Sequence, residues 1–269
     1  MFKAPRKRIK DLPFNRIAPN LVTLAALASG VTSIRFSMEG RWEVAVIAIL
    51  MASVFDALDG RVARMLHGAS NFGAELDSLS DCVCFGVAPG LLMYFWTLEN
   101  QAPAGWILAL LVPLCCALRL ARFNIMLDGP QPSYWKHFFV GLPAPGGAYV
   151  ALTPIMLYLY CQNNDFRYAE TLRNLFRSAV FVEVFLFLSA FLMASRLPTI
   201  SLKKIRIPAA FLPVFLITAG LFIGALFYEP WLTVGVMGVV YIITVPFCSI
   251  VFLRWKKAAL QEQSVEQKG

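Results

Sequence analysis

About eight stretches of this chain stay apolar for close to the ~20 residues a helix needs to cross a bilayer, and this constrains the fold more than any other feature. They fall at roughly 17–37, 43–65, 73–96, 104–125, 138–161, 178–195, 207–227 and 231–253. With 58% hydrophobic and only 15% charged residues over 269 positions, an ordinary soluble domain is excluded. The expected architecture is all-α and integral to the membrane. A single transmembrane domain over residues 17–255 follows a basic amino-terminal arm, 1–16, and precedes a polar tail, 256–269. The arm shows no small-residue cleavage site and reads as a cytoplasmic, topology-setting tail or an interfacial helix.

The net charge of +8 could point to nucleic acid, but its placement argues for topology instead. With the amino terminus inside, only Arg35, Arg41, Arg167, Arg173 and Arg177 lie outside, and the other nineteen of the 24 basic residues face the cytoplasm. That asymmetry is the positive-inside pattern, with added attraction to an anionic leaflet. No nucleic-acid partner is expected; membrane lipids are.

Four aspartates interrupt the second and third apolar runs: Asp56, Asp59, Asp77 and Asp81. Carboxylates at membrane depth are costly unless cations meet them, and so mark a functional site. On a helix Asp56, Asp59, Gly60 and Ala63 share one face, and Gly73, Asp77 and Asp81 another. An antiparallel hairpin turning near His67 to Ser70 would set Asp59 level with Asp77, and Asp56 level with Asp81. An all-oxygen cluster suits a hard divalent ion, Mg2+ or Mn2+, and two ions sharing carboxylates are expected. The small residues Gly60, Ala63 and Gly73 would let a flat or bulky group approach the backbone, while Arg61 and Arg64 could hold phosphate oxygens.

These residues spell D-x2-D-G-x2-A-R-x8-G-x3-D-x3-D, with Asp56, Asp59, Gly60, Ala63, Arg64, Gly73, Asp77 and Asp81 at the specified positions. The pattern resembles the signature of the CDP-alcohol phosphotransferases. Pro19 to Thr23, FGAELDSLSDCVCFGVAP (72–89), ALRLARFN (117–124) and FVGLPAP (139–145) look like one bacterial branch, the CDP-diacylglycerol-serine O-phosphatidyltransferases. The resemblance covers most of residues 17–145. It implies a helical bundle with a polar cavity facing the cytoplasm of a bacterial inner membrane, where a phosphatidyl group passes from CDP-diacylglycerol to L-serine. It further implies that Asp56, Asp59, Asp77 and Asp81 hold the metal, and that Asp81 is the general base. Asn20 and Thr23 would contact the CDP-lipid, together with Gly60, Ala63, Arg64 and Gly73.

The end of the fourth run carries Arg119, Arg122 and Asn124. The two arginines, three residues apart, could anchor the helix by snorkelling or could neutralise a substrate carboxylate or lipid phosphate. Serine has a carboxylate to recognise; choline would sooner call for aromatic faces, and glycerol 3-phosphate or an inositol phosphate keeps the chemistry with another acceptor. A cation transporter using the aspartates is the reading from a different class, but transporters favour acids at the midplane rather than at one side. Gly141 to Pro145 should break or delay the fifth helix and line the site. The cysteines read as buried packing, Glu75 as a residue at the cytoplasmic surface, His137 as a loop residue, and the polar stretch to Arg177 as a short interfacial helix. The last three runs read as packing, lipid-facing surface or contacts of a possible homodimer.

Overall fold

A computed structural model describes residues 14–66, 68, 70–101, 103–127, 138–195, 198–200 and 211–245. Residues 1–13 of the arm, His67, the loop from Asp128 to His137, the beginning of the seventh expected span, the end of the eighth, and the tail lie outside these.

The first two helices, α1 (Phe14–Met38) and α2 (Trp42–Met65), form a tight antiparallel pair. Gly40, at φ 70°, closes α1: the Arg41 amide donates to Phe36 O at 2.9 Å and the Gly40 amide to Ser37 O at 3.2 Å. This doubly bonded glycine end satisfies carbonyls the helix leaves open, so the chain can reverse within three residues. Ser29 Oγ donates to Ala48 O and Ser33 Oγ to Ala45 O, both at 2.8 Å, and Ala45, Ala48 and Ala52 are buried between the helices. Small residues with hydroxyl-to-backbone bonds are how apolar helices associate where no hydrophobic drive separates protein from lipid.

The third helix, α3, runs unbroken over Asn71–Gln101 for 31 residues. Ser70 caps it, its hydroxyl accepting from the Gly73 amide at 3.1 Å. Two π-helical stretches, Cys82–Val87 and Tyr94–Leu98, frame Ala88–Met93. The π turns re-phase the helix on either side of Pro89, which donates no backbone bond. Ser80 Oγ donates to Thr23 O at 3.4 Å and Cys84 Sγ to Ala26 O at 3.2 Å, so α3 runs parallel to α1 and therefore antiparallel to α2. The hairpin differs from the expected one in one respect. Residues Asn71–Asp81 pack chiefly on α1, leaving a gap toward α2.

Helix α4 (Ala104–Leu127) packs on α3 and on a later helix, α7 (Ala179–Ala194). The fifth run departs from expectation. Residues 138–140 are extended, as β1 (Phe138–Val140), which pairs antiparallel with β2 (Pro198–Ile200), Phe139 opposite Thr199. Gly141 follows at φ 75°, and α5 (Ala144–Asn163) begins only after Pro143, with Pro145 in its first turn where a missing amide costs nothing. Among the described residues an otherwise helical fold thus contains one short ribbon. The Gly141 segment lies against α7, with the Leu142 amide donating to Leu192 O at 3.3 Å; it packs on that helix end and does not border the aspartate cleft described below.

Helix α5 is the buried centre, with Val150, Ala151, Leu152, Ile155 and Met156 all fully enclosed. The polar stretch after it contains the short helix α6 (Ala169–Phe176), which meets α7 at 54°. Two apolar helices close the described chain: α8 (Leu212–Tyr228), with no buried residue, and α9 (Pro230–Val245), which packs on α5. Cys84, Cys115 and Cys116 are buried as free thiols.

Three described helices, Ile17–Met38, Asn71–Gln101 and Ala104–Ile125, are long and apolar enough to cross a membrane, and the bent α6–α7 pair makes a fourth. Among the described residues the count is three, or four with the bent pair, rather than eight. Helix α2 carries Asp56, Asp59, Arg61 and Arg64; α5 is diluted by proline, glycine and tyrosine; α8 and α9 are described over shorter lengths.

Candidate active site

The second half of α2, the first turns of α3 and the start of α1 wall a cleft of about 510 Å³, its open mouth included. Pro19, Asn20 and Thr23 come from α1, Asp59, Gly60 and Ala63 from α2, and Gly73, Ala74 and Asp77 from α3, with Gly68 and Ser70 from the turn between.

Asp59 is 5% exposed, and Thr23, 4% exposed, donates its hydroxyl to Asp59 Oδ2 at 2.7 Å. Pro19 O is the second acceptor within reach of that hydroxyl, at 3.2 Å. Thr23 therefore serves both the helix backbone and the acidic site. Asp56, Asp59 and Asp77 each present a carboxylate oxygen within 4.8 Å of the others. The carboxyl groups of Asp56 and Asp81 lie within hydrogen-bonding contact, and the charge of Arg119 on α4 is near enough to act on both.

Unit charges 4.8 Å apart repel by ~3.5 kcal/mol at an effective dielectric of ~20. A cluster of this kind needs positive charge, and Arg119 alone does not balance four acids. The donor set fits a hard divalent ion. In an octahedron with ~2.1 Å bonds neighbouring oxygens are about 3.0 Å apart and opposite ones about 4.2 Å, so the three carboxylates would each draw in by about an ångström to close on one ion.

The small residues shape the space beside the acids. A methyl placed on Gly60 would meet nothing within 4 Å, whereas one on Gly73 would meet Asn20 Oδ1 at 3.0 Å and Ser70 Oγ at 3.2 Å. The Asn20 amide thus lies across Gly73 on the cleft wall. Arg64 is exposed and curls onto its own helix, Nε donating to Gly60 O at 2.8 Å, and is not among the lining residues. Arg61 and Glu75 are exposed.

On α4 the three polar residues diverge. Asn124 Nδ2 donates to Ser78 Oγ at 3.1 Å, one residue after Asp77. Arg119 lies over the Phe123 ring at 5.9 Å, with its buried Nε lacking a hydrogen-bond partner. Arg122, expected beside Arg119, donates instead to Ala194 O at 2.9 Å, where the last turn of α7 leaves carbonyls open.

Sequence reasoning missed Ser70, Gly68, Ala74 and Ser78. Ser70 was accessible: a serine just before a helical run is a start signal. Gly68 and Ser78 carry no such mark.

Residues 16–193 match the profile of the family described as CDP-alcohol phosphatidyltransferase. A CDP-diacylglycerol-serine O-phosphatidyltransferase of Mycobacterium leprae is 36% identical over 244 residues, 90% of this chain and 77% of that protein. One from Helicobacter pylori is 33% identical over 189 residues, 70% of this chain and 73% of its own length. An archaetidylserine synthase of Methanothermobacter thermautotrophicus is 38% identical over 135 residues, 48% of this chain and 54% of that protein.

Proposed function

Because the chain belongs to the CDP-alcohol phosphatidyltransferase family, we propose that it transfers the phosphatidyl group of CDP-diacylglycerol to the hydroxyl of L-serine, yielding phosphatidylserine and CMP. The observation that carries this reading is the Asp56, Asp59 and Asp77 cluster at the edge of a cleft walled by glycine and alanine. Serine is the acceptor in the names of the relatives that span most of the chain, and archaetidylserine synthesis is the same transfer on a different lipid.

Two divalent ions, Mg2+ or Mn2+, held by Asp56, Asp59 and Asp77 and shared by Asp81, would neutralise the diphosphate and make CMP an acceptable leaving group. The chain's own residues do the rest. Thr23 fixes the Asp59 carboxylate in one rotamer through its hydrogen bond. Gly60, Ala63 and Gly73 admit the nucleotide close to the backbone, with the Asn20 amide and Thr23 as polar contacts, while Arg64, resting on Gly60 O, would have to swing out to meet phosphate oxygens. Asp81, in contact with Asp56, accepts the serine hydroxyl proton. The freed oxygen attacks the phosphorus bearing the diacylglycerol, and the phosphorus–oxygen bond to CMP breaks with its electron pair leaving on CMP. Arg119 receives the serine carboxylate, while Arg122 secures α7 and Asn124 holds Ser78 beside the acids.

The charge asymmetry supports a cytoplasmic-membrane protein of eight spans whose cleft opens to the cytoplasm, where CDP-lipid and serine meet. The test is CMP release by the purified protein in detergent with CDP-diacylglycerol and Mn2+ or Mg2+. Serine, glycerol 3-phosphate, inositol phosphate and choline are compared as acceptors. Serine-dependent release abolished by EDTA is the expected result. Release with another acceptor alone overturns the serine assignment; no release with any overturns the reaction.

A further inference from the structure

The cleft is polar at two ends. At one end Thr23 donates to Asp59, and Asp77 lies within reach of the same ion. The other end is Ser70, two turns back along α3 from Asp77, roughly 10 Å at ~1.5 Å per residue. Asn20, one turn before Thr23 on α1, meets it there, and both line the cleft.

Gly73 is the residue that lets the two groups meet. A methyl there would lie 3.0 Å from Asn20 Oδ1 and 3.2 Å from Ser70 Oγ, so both oxygens crowd the same point on the cleft wall. Ser70 Oγ accepts from the Gly73 amide at 3.1 Å, which fixes the oxygen and leaves its hydrogen to be donated elsewhere. Among the described residues the Asn20 amide has no hydrogen-bond partner, although it sits on the wall of a cleft rather than in bulk water. The wall therefore offers a carbonyl acceptor and a hydroxyl donor side by side.

A nucleoside diphosphate whose phosphates lie on the acids carries its ribose next to them and its base further out. Two helix turns exceed the reach of a ribose from its own phosphate and suit the far edge of a pyrimidine. On that edge cytosine presents an amino donor beside a ring-nitrogen acceptor, whereas uracil in the same pose presents a carbonyl acceptor beside an N–H donor. The first pattern complements Asn20 Oδ1 and the Ser70 hydroxyl. The second sets a carbonyl oxygen of the base against Asn20 Oδ1.

We propose that Ser70 and Asn20, seated against each other across Gly73, read the base of the nucleotide: Asn20 Oδ1 accepts from the cytosine amino group and the Ser70 hydroxyl donates to the ring nitrogen. The proposal rests on the reading of the cleft as the CDP-lipid site, and it adds the residue that selects cytidine over uridine. Gly73 then has a second duty, since any side chain there would part Asn20 from Ser70.

The experiment is calorimetric binding of CMP, UMP and ribose 5-phosphate, each with Mn2+, to the full-length protein in detergent. Wild type is compared with Ser70→Gly, Ser70→Thr and Gly73→Ala. Glycine replaces a capping serine at little cost, so Ser70→Gly should melt close to wild type. It should bind CMP about tenfold more weakly, with UMP and ribose 5-phosphate changed less than about twofold. Ser70→Thr keeps the hydroxyl and should keep the preference for CMP. Gly73→Ala retains the capping serine but displaces Asn20, and it should lose the same preference, which separates a lost contact from a frayed helix end. Unchanged CMP binding in Ser70→Gly, or equal weakening of all three ligands, overturns the base-reading role, as does a wild type that binds UMP as well as CMP. A wild type that binds CMP no better than ribose 5-phosphate overturns the CDP-lipid reading of the cleft itself.

Discussion

Thr23 Oγ1 on α1 lies 2.7 Å from Asp59 Oδ2 on α2, and both residues are buried. Neighbours that orient a metal-ligating carboxylate commonly contribute ~10–100-fold in metal affinity or activity. Thr23→Val keeps the shape of the side chain and removes the donor. It should raise the Mn2+ or Mg2+ concentration for half-maximal CMP release by about tenfold, with little change in melting temperature; a metal titration of activity measures this directly.

Asp81→Asn removes the proposed proton acceptor and keeps the volume. General-base contributions run ~10²–10⁴-fold, so serine-dependent CMP release should fall into that range while CDP-diacylglycerol still raises the melting temperature. Near-normal turnover would remove Asp81 from the role of base.

Gly60 borders open space on an exposed stretch of α2, so Gly60→Leu replaces a poor helix former without a clash. The helix should gain roughly 0.5–1 kcal/mol. The same side chain fills the cleft, so CDP-diacylglycerol binding should weaken at least tenfold by calorimetry or a melting shift. A variant more stable yet less able to bind would separate the cleft's shape from the fold's stability.

Arg122 and Arg119 should part company. Arg122→Ala frees the carbonyl of Ala194 at the end of α7, and loss of a charged hydrogen bond of this kind costs about 1.5–3 kcal/mol. Thermal stability should drop with the serine KM unchanged, while Arg119→Ala should raise the serine KM. A serine effect from Arg122→Ala would return it to the acceptor site.

Chelation should act on stability as well as turnover. Since an ion bound only by the folded protein stabilises it by ~2.7 kcal/mol at one hundred times its dissociation constant, adding Mn2+ to EDTA-treated protein should raise the melting temperature. The Asp56→Asn, Asp77→Asn double variant should show no such rise.

How far the sequence disclosed this arrangement depended on the kind of signal. Asp56, Asp59, Asp77 and Asp81 stood out because helical spacing and membrane cost both act on them, and the structure brings their carboxyl groups together. The antiparallel relation of α2 and α3 followed from the same spacing. Two things were not legible. The intervening contact with α1 depends on Thr23, Ser80 and Cys84, residues that read equally well as ordinary packing. The ribbon from Phe138 to Val140 lies in an apolar run whose hydropathy suits a helix, and only the glycine and prolines after it hint at extended backbone. Arg122 misled because two cations three residues apart share a face, yet a long side chain can turn to a neighbouring helix end.

The π-helical stretch that begins right after Asp81 has a consequence for how the site is tuned. A π turn is an α-helix with one residue too many, and each residue in a helix is worth about 100° of rotation. The rotational phase between the reactive first third of α3 and its anchored remainder is therefore set by a count of residues, independently of what those residues are. Removing one residue between Cys82 and Val87 would return this stretch to the α-helical register and swing Asp77 and Asp81 about a quarter-turn away from Asp56 without altering a single side chain at the site. In this chain the aim of the carboxylates is stored as a phase, and a length change of one would be felt there more sharply than most substitutions.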